Sequence, residues 1–64
     1  MLRDSRDIIQ RLEQDGFRLV NVRGSHYKFR HPVSKRTTIV THPKRDMPLG
    51  TVRAIYRQVG WDKD

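Results

Sequence analysis

The hydrophobic period changes twice along this chain, and those two changes leave few folds open. Over residues 5–15, Ile8, Ile9 and Leu12 fall on one helical stripe, with Arg6, Gln10, Arg11, Glu13 and Gln14 elsewhere. Over Leu49–Val59, the residues Val52, Ile55, Tyr56 and Val59 recur at i, i+3, i+4 and i+7, the stripe of a helix lying on a sheet. Between the two stripes lie three short runs rich in β-branched and aromatic residues, broken by Gly24, Ser25, Pro32 and a polar loop. The order predicts helix, three antiparallel strands, helix: an α+β fold in two layers, one domain over residues 1–64.

The boundaries follow from local chemistry. Asp4 or Ser5 serves as N-cap of the first helix, with Asp7 adding negative charge in its first turn, and Gly16 stops it. Residues 17–23 read as a strand whose apolar positions conflict: Phe17 and Leu19 share one parity, Val20 and Val22 the other. A bulge near Leu19 or Val20, or cover on both faces, reconciles them. Arg23-Gly24-Ser25 makes a tight reversal into a second strand, on which Tyr27, Phe29 and His31 point one way and His26, Lys28 and Arg30 the other. Pro32 ends that strand, Val33-Ser34-Lys35-Arg36 forms a hairpin loop, and Thr37–Thr41 is the third strand. Residues 42–48, with two prolines, read as a connection, and Pro48 as an early residue of the second helix. Gly50 near that helix's start costs up to about 1 kcal/mol, Gly60 is its exit, and Trp61 folds back over the edge of the core.

A chain of 64 residues buries only about 60% of its unfolded surface, so its core is thin. It has no cysteine, hence neither disulfides nor a thiolate zinc site, and its three histidines lack the spacing of a metal motif. No run approaches the ~20 apolar residues of a membrane span, and Met1-Leu2-Arg3-Asp4-Ser5-Arg6 lacks the apolar run of a secretory signal, so a soluble cytoplasmic protein is expected. The net charge of +7 favours an anionic partner, either a nucleic acid or an acidic protein.

Without cysteine, a hydrolase must work with histidine, carboxylates, hydroxyls and cations. The carboxylates Asp4, Asp7, Glu13, Asp15, Asp46, Asp62 and Asp64 read as helix caps, helix surface, loop and tail, with no pair set for two metals. His31 and His42 each precede a proline and read as structural and turn residues, with phosphate binding or help in proton transfer as the rival reading of His42. His26 follows a glycine turn and shares its face with Lys28 and Arg30, which places an imidazole beside cations able to hold a phosphodiester; a plain exposed histidine is the rival reading. The cations gather as Arg23 with Lys28 and Arg30, Lys35 with Arg36, and Lys44 with Arg45. Arg53 and Arg57 form a further strip on the second helix that reads as solvated surface.

Several short pieces, in their order and spacing, resemble the HicA (YcfA-like) toxin family over nearly the whole chain: Asp15-Gly16-Phe17, Gly24-Ser25-His26-Tyr27-Lys28-Phe29, His31-Pro32, His42-Pro43, and Pro48 through Ile55 with Val59-Gly60. The resemblance implies a fold like the double-stranded-RNA-binding domain. It also implies an endoribonuclease toxin that cleaves mRNA and is neutralised by a HicB-type antitoxin in a toxin–antitoxin hetero-oligomer. The family's catalytic histidine maps to His26, and Gly24 and Ser25 match the same motif. Together with Lys28, Arg30, Lys44 and Arg45 these make the expected RNA-binding set, with neither a metal nor a cofactor called for. A non-catalytic RNA-binding module of the same fold is the alternative, and a purely protein-binding role a third.

Overall fold

The computed structural model describes residues 1–62, so Asp64 lies outside the described residues. Its elements run α1 (Ser5–Gln14), β1 (Arg18–Arg23), β2 (His26–Arg30), β3 (Thr37–Thr41) and α2 (Leu49–Val59). The strands form one antiparallel sheet in the order β1-β2-β3, which is the two-layer α+β arrangement expected from the periods and the double-stranded-RNA-binding-domain-like fold that the family resemblance implies.

Both helices pack on one face of the sheet, and the core lies between the layers. Ile8 and Leu12 of α1 meet Phe29 of β2, Val40 of β3, and Val52, Ile55, Tyr56 and Val59 of α2, all buried. Two further core members come from outside the regular elements. Phe17, placed by its sequence context in the first strand, stands just before β1 and is buried; Met47, in the connection before α2, is fully buried. A loop methionine reaches the core because the loop is tied down: the Met47 amide donates to the Arg3 carbonyl at 2.9 Å, and the Arg3 guanidinium donates to the Met47 carbonyl at 2.6 Å.

Asp4 is the N-cap of α1, its carboxylate accepting from the Arg6 amide at 2.9 Å. Hydrogen bonds from the Arg6 side chain and backbone hold the Asp4 carboxyl below its ordinary range. Ser5 is instead a buried joint. Its hydroxyl accepts from the Lys44 amide at 2.9 Å and pairs with His42 Nδ1 at 2.8 Å, fastening the end of β3 to the start of α1. Pro48 sits one residue earlier than expected, as the N-cap of α2 in an extended conformation (φ −54°, ψ 140°), where its fixed φ and missing donor are equally harmless. Trp61 folds back as expected: its indole donates to the Asp15 carboxylate at 2.6 Å, and its ring stands edge-on to Tyr56 beneath the Arg11 guanidinium.

Two glycines predict opposite outcomes. Gly16 has φ +92°, and a Cβ there would lie 3.0 Å from His31 Nε2, so Gly16→Ala is expected to destabilise the fold by about 1–2 kcal/mol. Gly50 lies in α2 with open space around it and no positive φ, so Gly50→Ala is expected to stabilise by about 0.5–1 kcal/mol. Urea unfolding of both variants checks the pair; the same sign for both would contradict the account.

Candidate active site on the open face of the sheet

The sheet's second face carries no helix, and its composition follows from the alternation along β2. Phe29 and Tyr27 turn toward the core, buried and half-buried, which sends His26, Lys28 and Arg30 to the open side, all three exposed. The reversal before β2 needs a left-handed residue, and Gly24 supplies it at φ +57°. No neighbour approaches within 4 Å of where its Cβ would stand, so conformation alone accounts for glycine there. The Ser25 carbonyl accepts from the His42 amide at 2.8 Å, which anchors the turn to the end of β3.

Register sets the neighbours of His26. A first cross-strand row on the open face is Arg23, His26 and Thr41; a second is Asn21, Lys28 and Ile39; a third is Arg18, Arg30 and Thr37. Asn21, Arg23, His26, Lys28 and Ile39 line an open depression of about 480 Å³. No carboxylate lines it. Among the described residues the acids lie on α1 or its flanks, in the 42–48 connection and at Asp62, so the open face is uniformly positive. Fixed cations without interleaved anions attract and hold a phosphodiester backbone.

The three histidines separate by what they touch. His31 Nδ1 accepts from the amides of Val33 and Ser34 at 3.1 and 3.2 Å, its Nε2 donates to the Asp15 carbonyl at 3.1 Å, and its ring stands edge-on to Phe17. Both nitrogens are thus committed, and the neutral Nε2–H tautomer follows from the donors around Nδ1. His42 is engaged with Ser5 through Nδ1 and edge-on with Tyr27. Of the three, only the His26 side chain makes no hydrogen bond, ion pair or ring contact with another described residue, and the residue is exposed.

The expected RNA-binding residues divide. Gly24 and Ser25 form the turn beside His26, Lys28 lines the depression with it, and Arg30 lies on the same face one row further along. Lys44 and Arg45 are exposed but stand outside the lining, in the connection that closes the N-terminal end of α1. There the Lys44 backbone bonds to Ser5, and Arg45 lies within electrostatic reach of Asp4. Residues 17–23 concealed two members of the face. The hairpin register sets Asn21 opposite Lys28, and a bulge between Leu19 and Asn21 brings Arg18 opposite Arg30. The parity conflict in that run was the signal. Its other resolution, cover on both faces, does not occur: every residue of β1 is exposed, with Leu19, Val20 and Val22 close to half-accessible.

The family described as HicA toxin of bacterial toxin-antitoxin matches residues 5–61. That span begins at the first residue of α1 and holds the whole depression. No curated protein matches the chain. No helix among the described residues is long and apolar enough to cross a membrane.

Proposed function

The chain belongs to the HicA toxin family of toxin–antitoxin systems, and from that premise we propose that it is an endoribonuclease that cleaves mRNA with His26 as general base. The observation that carries this reading is the unpartnered His26 imidazole, set between Arg23 and Thr41 and sharing one depression with Lys28. Neutral His26 takes the proton from a ribose 2′-hydroxyl, and the oxygen attacks the adjacent phosphorus. The bond to the 5′-oxygen breaks, leaving a 2′,3′-cyclic phosphate, and that oxygen takes up a proton to become a free 5′-hydroxyl. Lys28 and Arg23 stand where they can hold the negative charge that develops on the phosphate oxygens.

Because the substrate supplies its own nucleophile, the reaction asks for no metal-activated water, and DNA of the same sequence resists. A HicB-type antitoxin acts by occupancy: an acidic surface laid over His26 and its cations blocks RNA from the site in a toxin–antitoxin hetero-oligomer. Purified protein in EDTA is expected to cut a single-stranded RNA and leave the matching DNA intact, and its expression is expected to arrest growth unless the antitoxin is coexpressed. Salt-sensitive RNA binding without any cleavage product would replace the enzyme with a non-catalytic RNA-binding module.

A further inference from the structure

Ile39 is the one large apolar side chain within the second cross-strand row of the open face, between a lysine and the sheet edge, and it is 51% exposed. It serves no core there, since Thr38 and Val40 on either side of it carry the inward positions of β3. Ile39 and Lys28 also line a second depression, which passes over the β3 edge to α2 and is completed by Thr37, Thr51, Ala54 and Gln58 among others. The two depressions adjoin at Lys28 and Ile39, and together they form a groove leading from His26 across Ile39 to the side of α2 that carries Thr51, Ala54 and Gln58. Across the strands at about 4.8 Å each and along them at about 3.3 Å per residue, the groove reaches roughly 10–15 Å from His26. No carboxylate lines either part. Thr37 and Thr51 present exposed hydroxyls there, while Gln58 accepts from the Thr38 hydroxyl at 2.7 Å through Oε1, which fixes that oxygen and leaves its amide group to donate elsewhere.

We propose that this groove is the subsite for the nucleotide next to the scissile phosphate of a single-stranded RNA, with the base face resting on Ile39, its edge met by Thr51 and Thr37, and its phosphate by Lys28. The proposal rests on the reading of His26 as the cleavage residue, which fixes the end of the groove where the phosphate sits. An apolar platform flanked by hydroxyls and a cation matches an unpaired base joined to a phosphate: the base offers an apolar face and a polar edge. A duplex would keep those faces stacked and out of reach of Ile39.

Two variants test it, Ile39→Thr, which keeps a β-branched residue on the strand, and Thr51→Val, which keeps the shape and removes the hydroxyl. Each is measured for kcat and KM on a single-stranded RNA oligonucleotide and on a dinucleoside monophosphate, and for affinity to an uncleavable 2′-O-methyl oligonucleotide. Ile39→Thr is expected to weaken oligonucleotide affinity about tenfold and to raise KM with kcat held, and Thr51→Val to weaken it less and unequally among the four bases. A variant matching wild type in oligonucleotide affinity and KM would overturn the subsite while leaving the role of His26 intact. Loss of antitoxin binding with RNA affinity unchanged would overturn it too and assign the face to protein. Should wild type cleave no RNA, the reading of His26 fails, and the 2′-O-methyl affinities still decide whether the groove binds a single strand.

Discussion

His26→Ala is expected to lower RNA cleavage by about 10²–10⁴-fold, the range that a general base contributes, while the protein stays folded and binds RNA within a few-fold of wild type. The separation of effects follows from the placement of the ring. The His26 side chain is exposed, makes no hydrogen bond, ion pair or ring contact with another described residue, and opens β2 through backbone pairing with Arg23 and Thr41 that alanine preserves. A surface change of this kind moves stability by no more than about 0.5 kcal/mol. The same substitution at His31 behaves differently, since it removes the acceptor for two loop amides and the donor to Asp15; there the loss is in stability. Initial rates on one RNA, with thermal unfolding of each variant beside them, distinguish the two histidines. Equal activity in wild type and His26→Ala removes His26 from the chemistry.

Phe29→Ala is expected to cost about 3–5 kcal/mol and to leave the protein largely unfolded at 37 °C. A chain of this length has a net stability of roughly 3–10 kcal/mol, so one cavity at the centre of the core consumes much of it. Phe29 is 1% exposed on the middle strand, surrounded by core residues from both helices. Its burial also decides which way the site faces. With Phe29 turned inward, Lys28 and Arg30 must turn outward, and His26, three positions before it, falls on their side. Loss of activity in Phe29→Ala therefore accompanies loss of structure, whereas in His26→Ala it does not. Urea unfolding followed by far-UV circular dichroism measures the cost, and a cooperative transition within 1 kcal/mol of wild type would contradict the packing described.

The parts of the fold that were readable beforehand are those whose cause is local. The stripes of α1 and α2, the glycine at φ +57° before β2 and the alternation of Tyr27 and Phe29 against His26 and Lys28 each follow from residues a few positions apart. The parity conflict in residues 17–23 pointed to a bulge, and the bulge falls at Val20. What was not readable depends on distant partners. Met47 joins the core only because Arg3, 44 positions away, pins its backbone. Ser5 is a buried joint rather than a cap because His42 and Lys44 come back to meet it. Arg18 and Asn21 enter the open face through register, and the groove over Ile39 exists only once α2 has docked beside β3. For the site itself, alternation placed His26 among cations but left it one of three histidines; the engagement of His31 and His42 with their own neighbours is what sets it apart.

The role of His26 as the base that activates a ribose oxygen is tested most directly on the substrate. An RNA oligonucleotide carrying a single 2′-deoxynucleotide on the 5′ side of the cleaved bond is compared with its all-ribose twin, and the ends of the products are analysed. The account predicts that the all-ribose strand yields a 2′,3′-cyclic phosphate and a 5′-hydroxyl, and that the deoxy-substituted strand survives at that bond. Cleavage of the substituted bond, or products ending in a 3′-hydroxyl and a 5′-phosphate, would contradict it.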